Sequence, residues 1–192
     1  MGRRAALDDA EILERLARVF RDVGYEGARL AMLAKATGLQ KASLYHRFPA
    51  GKEQMARDVL GAAGAWLEQN VLSVLRSDGN PINRVQEASK RLDEFYSGGR
   101  RACLLNMLSS PRTADGPFSE AIRLMFDALI AALCKPLIDQ GFDRKVARHR
   151  AEQAVIRLQG SLVVARGLGT PRVFREFLDD LPKFLLDKRS EE

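Results

Sequence analysis

Five cations stand between Gly27 and Lys52, namely Arg29, Lys35, Lys41, Arg47 and Lys52, with no Asp or Glu among them. A local excess of that kind is what neutralises phosphates and releases counterions. Interleaved with it are Gln40, Ser43, Tyr45 and His46, whose side chains can bond base edges or backbone oxygens. The chemistry indicated is recognition of a polyanion and not bond-making. The arrangements that bond-making needs are missing from the sequence: there is no Gly-rich phosphate loop, no Ser or Cys nucleophile with a plausible nearby His, and no acidic metal cluster. Cys103 and Cys134 show no CxxC spacing and lie far from His46 and His149, so no zinc site of the usual local spacing is expected. The reading is of a protein that is not an enzyme, with no catalytic residues, no metal and no cofactor.

The charge distribution agrees. Residues 1–52 carry 10 Lys/Arg against 6 Asp/Glu, while residues 53–192 carry 21 against 19. About a quarter of the chain therefore holds most of the net +6. On charge alone a solvated basic face explains this equally well, and the pattern within the stretch has to decide.

That pattern is helix, tight turn, helix. Leu30, Leu33 and Ala34 share a helical face, Thr37-Gly38 interrupts the periodicity, and Gly38 suits the left-handed residue that closes a helix. Leu39 can plug the angle between the helices. Gln40 to Phe48 reads as a second short helix with Leu44 and Phe48 turned inward. Gln40, Lys41, Ala42 and Ser43 then head its outer, acid-free face, which suits the DNA major groove. There Lys41 can reach guanine O6/N7, Gln40 can pair with adenine N6/N7, and Ala42 can meet a thymine methyl. Arg29, at the start of the preceding helix, stands where backbone N–H groups also face phosphate.

The residues Leu33-Ala34, Ala36-Thr37-Gly38-Leu39, Leu44-Tyr45-His46-Arg47-Phe48 and Gly51-Lys52-Glu53 resemble the helix-turn-helix of TetR-type transcriptional repressors. Small, apolar, aromatic and basic residues recur in the family's order over about twenty positions. Three positions depart from the pattern: Thr37 replaces an Ala, Gln40 a capping Ser, and Arg29 stands near where a capping Thr opens the first helix. The link from Phe48 to Gln54 looks like the branch that includes the LmrA/YxaF-like repressors. The resemblance implies that Tyr45, His46 and Lys52 contact phosphates, although His46 also reads as a plain exposed residue. It implies residues 1–51 as the DNA-binding domain and 52–192 as an effector-binding and dimerisation domain. The function it implies is that of a ligand-responsive repressor, binding a palindromic double-stranded DNA operator as a homodimer and released by a small-molecule effector.

The rest of the chain supplies elements to match. Asp8-Asp9 opens a first helix with the apolar stripe Ile12, Leu16, Val19, Phe20 and Val23, and Gly24 ends it. Arg15, Arg18 and Arg21 lie off the stripe and are expected to face solvent. Met1 to Leu7 is a basic arm. A long helix from Lys52 to about Arg76 is expected to connect the domains and to swing on effector binding, changing the separation of the two recognition helices. Further helices follow to about Ser97, then over Ala102–Leu108, Phe118–Gln140, Asp143–Gly167 and from Pro171, with Pro136 and Pro182 expected to bend or break theirs. No stretch shows sustained strand alternation, so the fold class is all-α with about nine helices.

By the resemblance, the last two long helices (Ala151, Ala154, Gly160, Leu162; Val173, Phe174, Phe177, Leu181) form the dimer interface; packing within one chain is the alternative. Trp66, Phe95, Asn106, Met107, Phe126, Leu129, Arg157 and Gln159 are candidates to line the effector pocket, against the plainer reading of ordinary core. The absence of acidic residues from these faces favours a neutral or anionic aromatic effector. Cys103, after Arg100-Arg101, is either a redox sensor or a small buried hydrophobe. No uncharged apolar run approaches the ~18 residues of a membrane span, residues 1–10 lack the apolar core of a signal peptide, and the expected compartment is the cytoplasm.

Overall fold

The computed structural model describes residues 8–109 and 116–188, so the arm Met1–Leu7 lies outside the described residues. Among these there are nine helices and no strand. They are α1 (Asp9–Gly27), α2 (Leu30–Thr37), α3 (Lys41–Arg47), α4, α5 (Pro81–Phe95), α6 (Leu104–Leu108), α7 (Ser119–Asp139), α8 (Arg144–Leu168) and α9 (Arg172–Leu186). Helix α4 begins as Gly51–Leu67 and continues through a π-helical turn, Glu68–Leu72, into a last turn, Ser73–Arg76. The chain forms two compact units: Met1–Ala63 with Leu104–Ser119, and Gly64–Cys103 with Glu120–Glu192.

In the first unit the Asp8 side chain caps α1 by accepting from the Glu11 N–H at 2.7 Å. The stripe predicted for α1 is buried at Ile12, Leu16, Val19 and Phe20, but Val23 is exposed. Gly24, at φ +70°, breaks the helical path, and a further turn carries on to Gly27. Arg21, expected in solvent, is buried, on a helix against which both α2 and α6 pack. Leu33, Leu44, Phe48, Met55, Val59 and Phe118 complete this core.

In the second unit α8 and α9 form a hairpin. The buried Arg150 near the start of α8 donates to the carbonyls of Leu185 (3.0 Å) and Asp187 (2.8 Å) at the end of α9, which fixes the pair as antiparallel. Helix α5 packs on α9 and on the last turns of α4. Buried Arg84 of α5 donates to the carbonyls of Leu75 (3.1 Å) and Ser77 (2.6 Å) and to the Asp139 carboxylate at 2.6 Å, tying the ends of α4 and α7 to α5. Pro136 and Pro182 lie within α7 and α9, and both helices run past them. Each ring lacks one N–H, and near a helix end that forfeits a single ladder bond.

Part of the anticipated interface needs correcting, although Gly160 is exposed and Val173 and Phe177 are half-buried. Ala151, Ala154, Leu162, Phe174 and Leu181 are all buried within the chain. The apolar side chains that α8 leaves exposed are Ile156, Val163, Val164 and Leu168, with Ile156 and Leu168 each 60% exposed. Sequence periodicity singled out the row that the same chain covers and passed over the row left exposed.

Candidate nucleic-acid interface

The helix-turn-helix is held by bonds that its own residues make. Gly38 closes α2 at φ +70°, a conformation that costs an L-residue with a Cβ about 1–2 kcal/mol. The Thr37 hydroxyl, wholly buried, donates to the Leu33 carbonyl at 2.9 Å, lies 3.2 Å from that of Ala34, and accepts from the Leu39 N–H at 3.4 Å. The departure from Ala at this position thus adds a polar staple across the turn. Leu44 and Phe48 anchor α3 from beneath.

With that side fixed, the outer face follows. Gln40 is the N-cap residue of α3, with extended backbone and no capping bond from its side chain, so the amide is free for other partners. Gln40, Lys41, Ala42 and Ser43 are exposed together at the head of α3, and Tyr45 and His46 are exposed one turn on. Arg29 is the exposed N-cap residue of α2, also without a side-chain capping bond. The Tyr45 ring lies beside the Gly51 backbone at the start of α4. Arg47, by contrast, is turned to the Asp9 carboxylate of α1. His46 shares a surface groove with Asp9, Leu13, Arg47, Phe48 and Asp58, so two carboxylates stand near it.

Lys52 is placed differently from the other cations. Its ammonium donates to the Tyr25 carbonyl at 3.0 Å and lies 4.3 Å from the centre of the Tyr25 ring. Tyr25 in turn meets Phe118 edge-on at 4.9 Å. Burial raises the Tyr25 hydroxyl pKa, the Glu53 and Glu26 carboxylates add to the rise, and Arg57 opposes it. The phenol is therefore neutral over the physiological range. Sequence reading missed Tyr25, because no local rule joins positions 25, 52 and 118; an aromatic residue directly after the Gly24 stop was the one available signal.

The eight effector-pocket candidates fall in both units. Asn106 and Met107 belong to the first unit, with Asn106 exposed and the Met107 backbone against Gly24. In the second unit Trp66 stacks on Phe95 at 4.9 Å, and the ring series continues through Tyr96 to Phe174. Leu129 borders a wholly apolar void of ≈ 10 Å³ with Leu75, Val85, Leu92, Leu133 and Leu158, too small for more than one water. Phe126 is half-buried. Arg157 is exposed, its guanidinium 3.8 Å above the Phe184 ring. Gln159 carries a buried amide nitrogen that meets no acceptor among the described residues, a state that costs free energy unless something bonds it. Cys103 is buried, 3.5 Å from the Tyr96 hydroxyl. No group of three or more His, Cys, Asp or Glu able to hold a metal is found among the described residues. No described helix is long and apolar enough to cross a membrane.

Comparison with known proteins bears on this surface. Residues 12–59 match the family described as bacterial regulatory proteins, tetR family. The chain is 22% identical over 158 residues to the uncharacterized HTH-type transcriptional regulator YxaF of Bacillus subtilis, covering 81% of this chain and 83% of that protein. Its fold is similar to that of a TetR transcriptional regulator from Legionella pneumophila, with a TM-score of 0.80 at 19% identity, over 94% of this chain and 98% of the other. It is also similar to the TetR family regulator CifR, whose cysteine mutant was solved with a 26-bp double-strand operator DNA, with a TM-score of 0.73 at 22% identity over 99% and 100% of the two chains.

Proposed function

We propose that this chain, a TetR-type transcriptional regulator, represses transcription by binding a palindromic operator as a homodimer and is released by a small-molecule effector. The observation that carries the reading is the exposed, acid-free face of α2 and α3, anchored from behind by Leu44 and Phe48. Gln40, Lys41, Ala42 and Ser43 read base edges, while Arg29, Tyr45, His46 and Lys52 hold the phosphates. The operator in the CifR complex supports it. Residues 1–51 serve DNA binding, and 52–192 serve effector binding and dimerisation.

Dimerisation uses the row that α8 leaves exposed, Ile156, Val163, Val164 and Leu168. Contiguous apolar surface of that kind marks an association site. Two recognition helices about 34 Å apart then match successive major grooves of a palindrome. An effector releases the operator only if it binds the DNA-free arrangement more tightly than the DNA-bound one. The buried, unpartnered amide nitrogen of Gln159 suits a ligand with a hydrogen-bond acceptor. The protein acts in the cytoplasm and is not a catalyst.

The test is the affinity of the purified protein for its own upstream intergenic DNA at two salt concentrations, beside a scrambled duplex of equal length. Tight, palindrome-dependent binding that exceeds the scramble is expected. Equal, salt-sensitive binding to both would leave only a basic surface, and would favour a helical interaction module in place of a repressor.

A further inference from the structure

The link between Tyr25 and Lys52 has a consequence for DNA recognition. A free lysine on a surface must give up most of its rotamer freedom when it grips a phosphate, and that loss is subtracted from affinity. Lys52 has given up that freedom before any DNA arrives. One of its three donors is spent on the Tyr25 carbonyl at 3.0 Å, and the ring 4.3 Å away holds the ammonium from one side. Two donors remain, and the side chain is only half-buried. Tyr25 is itself held: Phe118 meets its ring at 4.9 Å, Phe118 is fully buried, and Arg57 lies over the far ring at 5.7 Å. Phe118 comes from Leu104–Ser119, a segment distant in sequence that packs within the same unit as α1 to α3.

We propose that Tyr25 is a positioning residue for DNA-backbone recognition: it pre-orders the Lys52 ammonium, and Phe118 pre-orders Tyr25, so the segment Leu104–Ser119 bears on operator affinity through one side chain. This rests on the reading of Lys52 as a phosphate contact. Tyr25 touches no DNA; it acts through Lys52. A shift of Phe118 therefore weakens phosphate binding without any change in the residues that read bases.

The test is a double-mutant cycle on operator affinity with Tyr25→Leu and Lys52→Ala, with Tyr25→Phe as the conservative variant. Lys52→Ala should lower affinity and cut the slope of log K against log [salt] by about 1.8 in a dimer, about 0.9 per lost cation. Tyr25→Leu should cost roughly tenfold alone and less than about twofold in the Lys52→Ala background, a coupling that independent sites do not show. Tyr25→Phe, which keeps ring and carbonyl, should match the wild type. Proton NMR supplies a readout independent of variant folding. The Lys52 ε-methylene resonance should be shifted upfield by the Tyr25 ring in the free protein and remain so in the operator complex. Additive losses, or an upfield shift that vanishes on binding DNA, would overturn the positioning role while leaving the repressor intact. An unchanged salt slope in Lys52→Ala would instead remove the phosphate contact, and the proposal with it.

Discussion

Gly99→Ala and Gly38→Ala make the same chemical change at two left-handed residues, and the structure sets their costs well apart. Gly38 has φ +70° and open space around the position of an added Cβ, so only the backbone penalty applies, about 1–2 kcal/mol. Gly99 has φ +83°, and its added Cβ would stand 2.7 Å from Cδ1 and 2.9 Å from Cβ of Phe174. Phe174 is wholly buried, with Tyr96 against its ring at 5.8 Å. It cannot swing aside as an exposed tip would, so overpacking adds about 1–3 kcal/mol to a similar backbone penalty. The expected total is about 2–5 kcal/mol, or roughly 4–20 °C in melting temperature for a chain of this size. Urea unfolding of the two variants beside the wild type, with both midpoint and slope analysed, measures the difference. Equal losses for the two would refute the reasoning, since they would mean that the ring of Phe174 yields freely. A Gly99→Ala protein as stable as wild type would refute the close approach itself.

Thr37→Val keeps the buried shape but removes the staple across the turn; a loss of about 1 kcal/mol is expected by urea unfolding, and no loss would show that the hydroxyl contributes nothing. Lys41→Ala should flatten the ranking of affinities across operator variants, whereas Tyr45→Phe should weaken all of them alike; an unchanged ranking for Lys41→Ala would end its base-reading role. The third concerns pH. Hydrogen bonds from Lys135, and then from Arg84, hold the Asp139 carboxyl below its ordinary pKa. Its contribution to stability is therefore complete above the ordinary carboxylate range near 4 and fades as pH falls through the lowered value. Wild type should lose more stability than Asp139→Asn on acidification below about pH 4, and parallel acid limbs would remove Asp139 from that account.

Much of the candidate interface was legible because it is local. Leu33, Leu44 and Phe48 sit close in sequence, and helical spacing alone settles that they turn inward and that Gln40, Lys41, Ala42 and Ser43 turn out. The all-helical class followed from the same periodicity, and the helix expected from Asp143 begins there, with the Asp143 side chain accepting from the Lys145 N–H. The effector candidates were less legible. A polar residue on an apolar helix looks the same in sequence whether it ends buried, like the Gln159 amide nitrogen, or outside on a neighbouring ring, like Arg157 over Phe184.

By itself, then, the sequence determined the helices, the turn and the acid-free recognition face, since each depends on residues a few positions apart. The tertiary structure alone decided that Arg21, Arg84 and Arg150 are buried, that Ala151 and Phe174 serve this chain's own core, and that Ile156 and Leu168 stay exposed. It alone brought positions 25, 52 and 118 together. The physical reason is that periodicity states which residues share a face, while the covering of that face depends on segments distant in sequence, whose packing leaves no local trace.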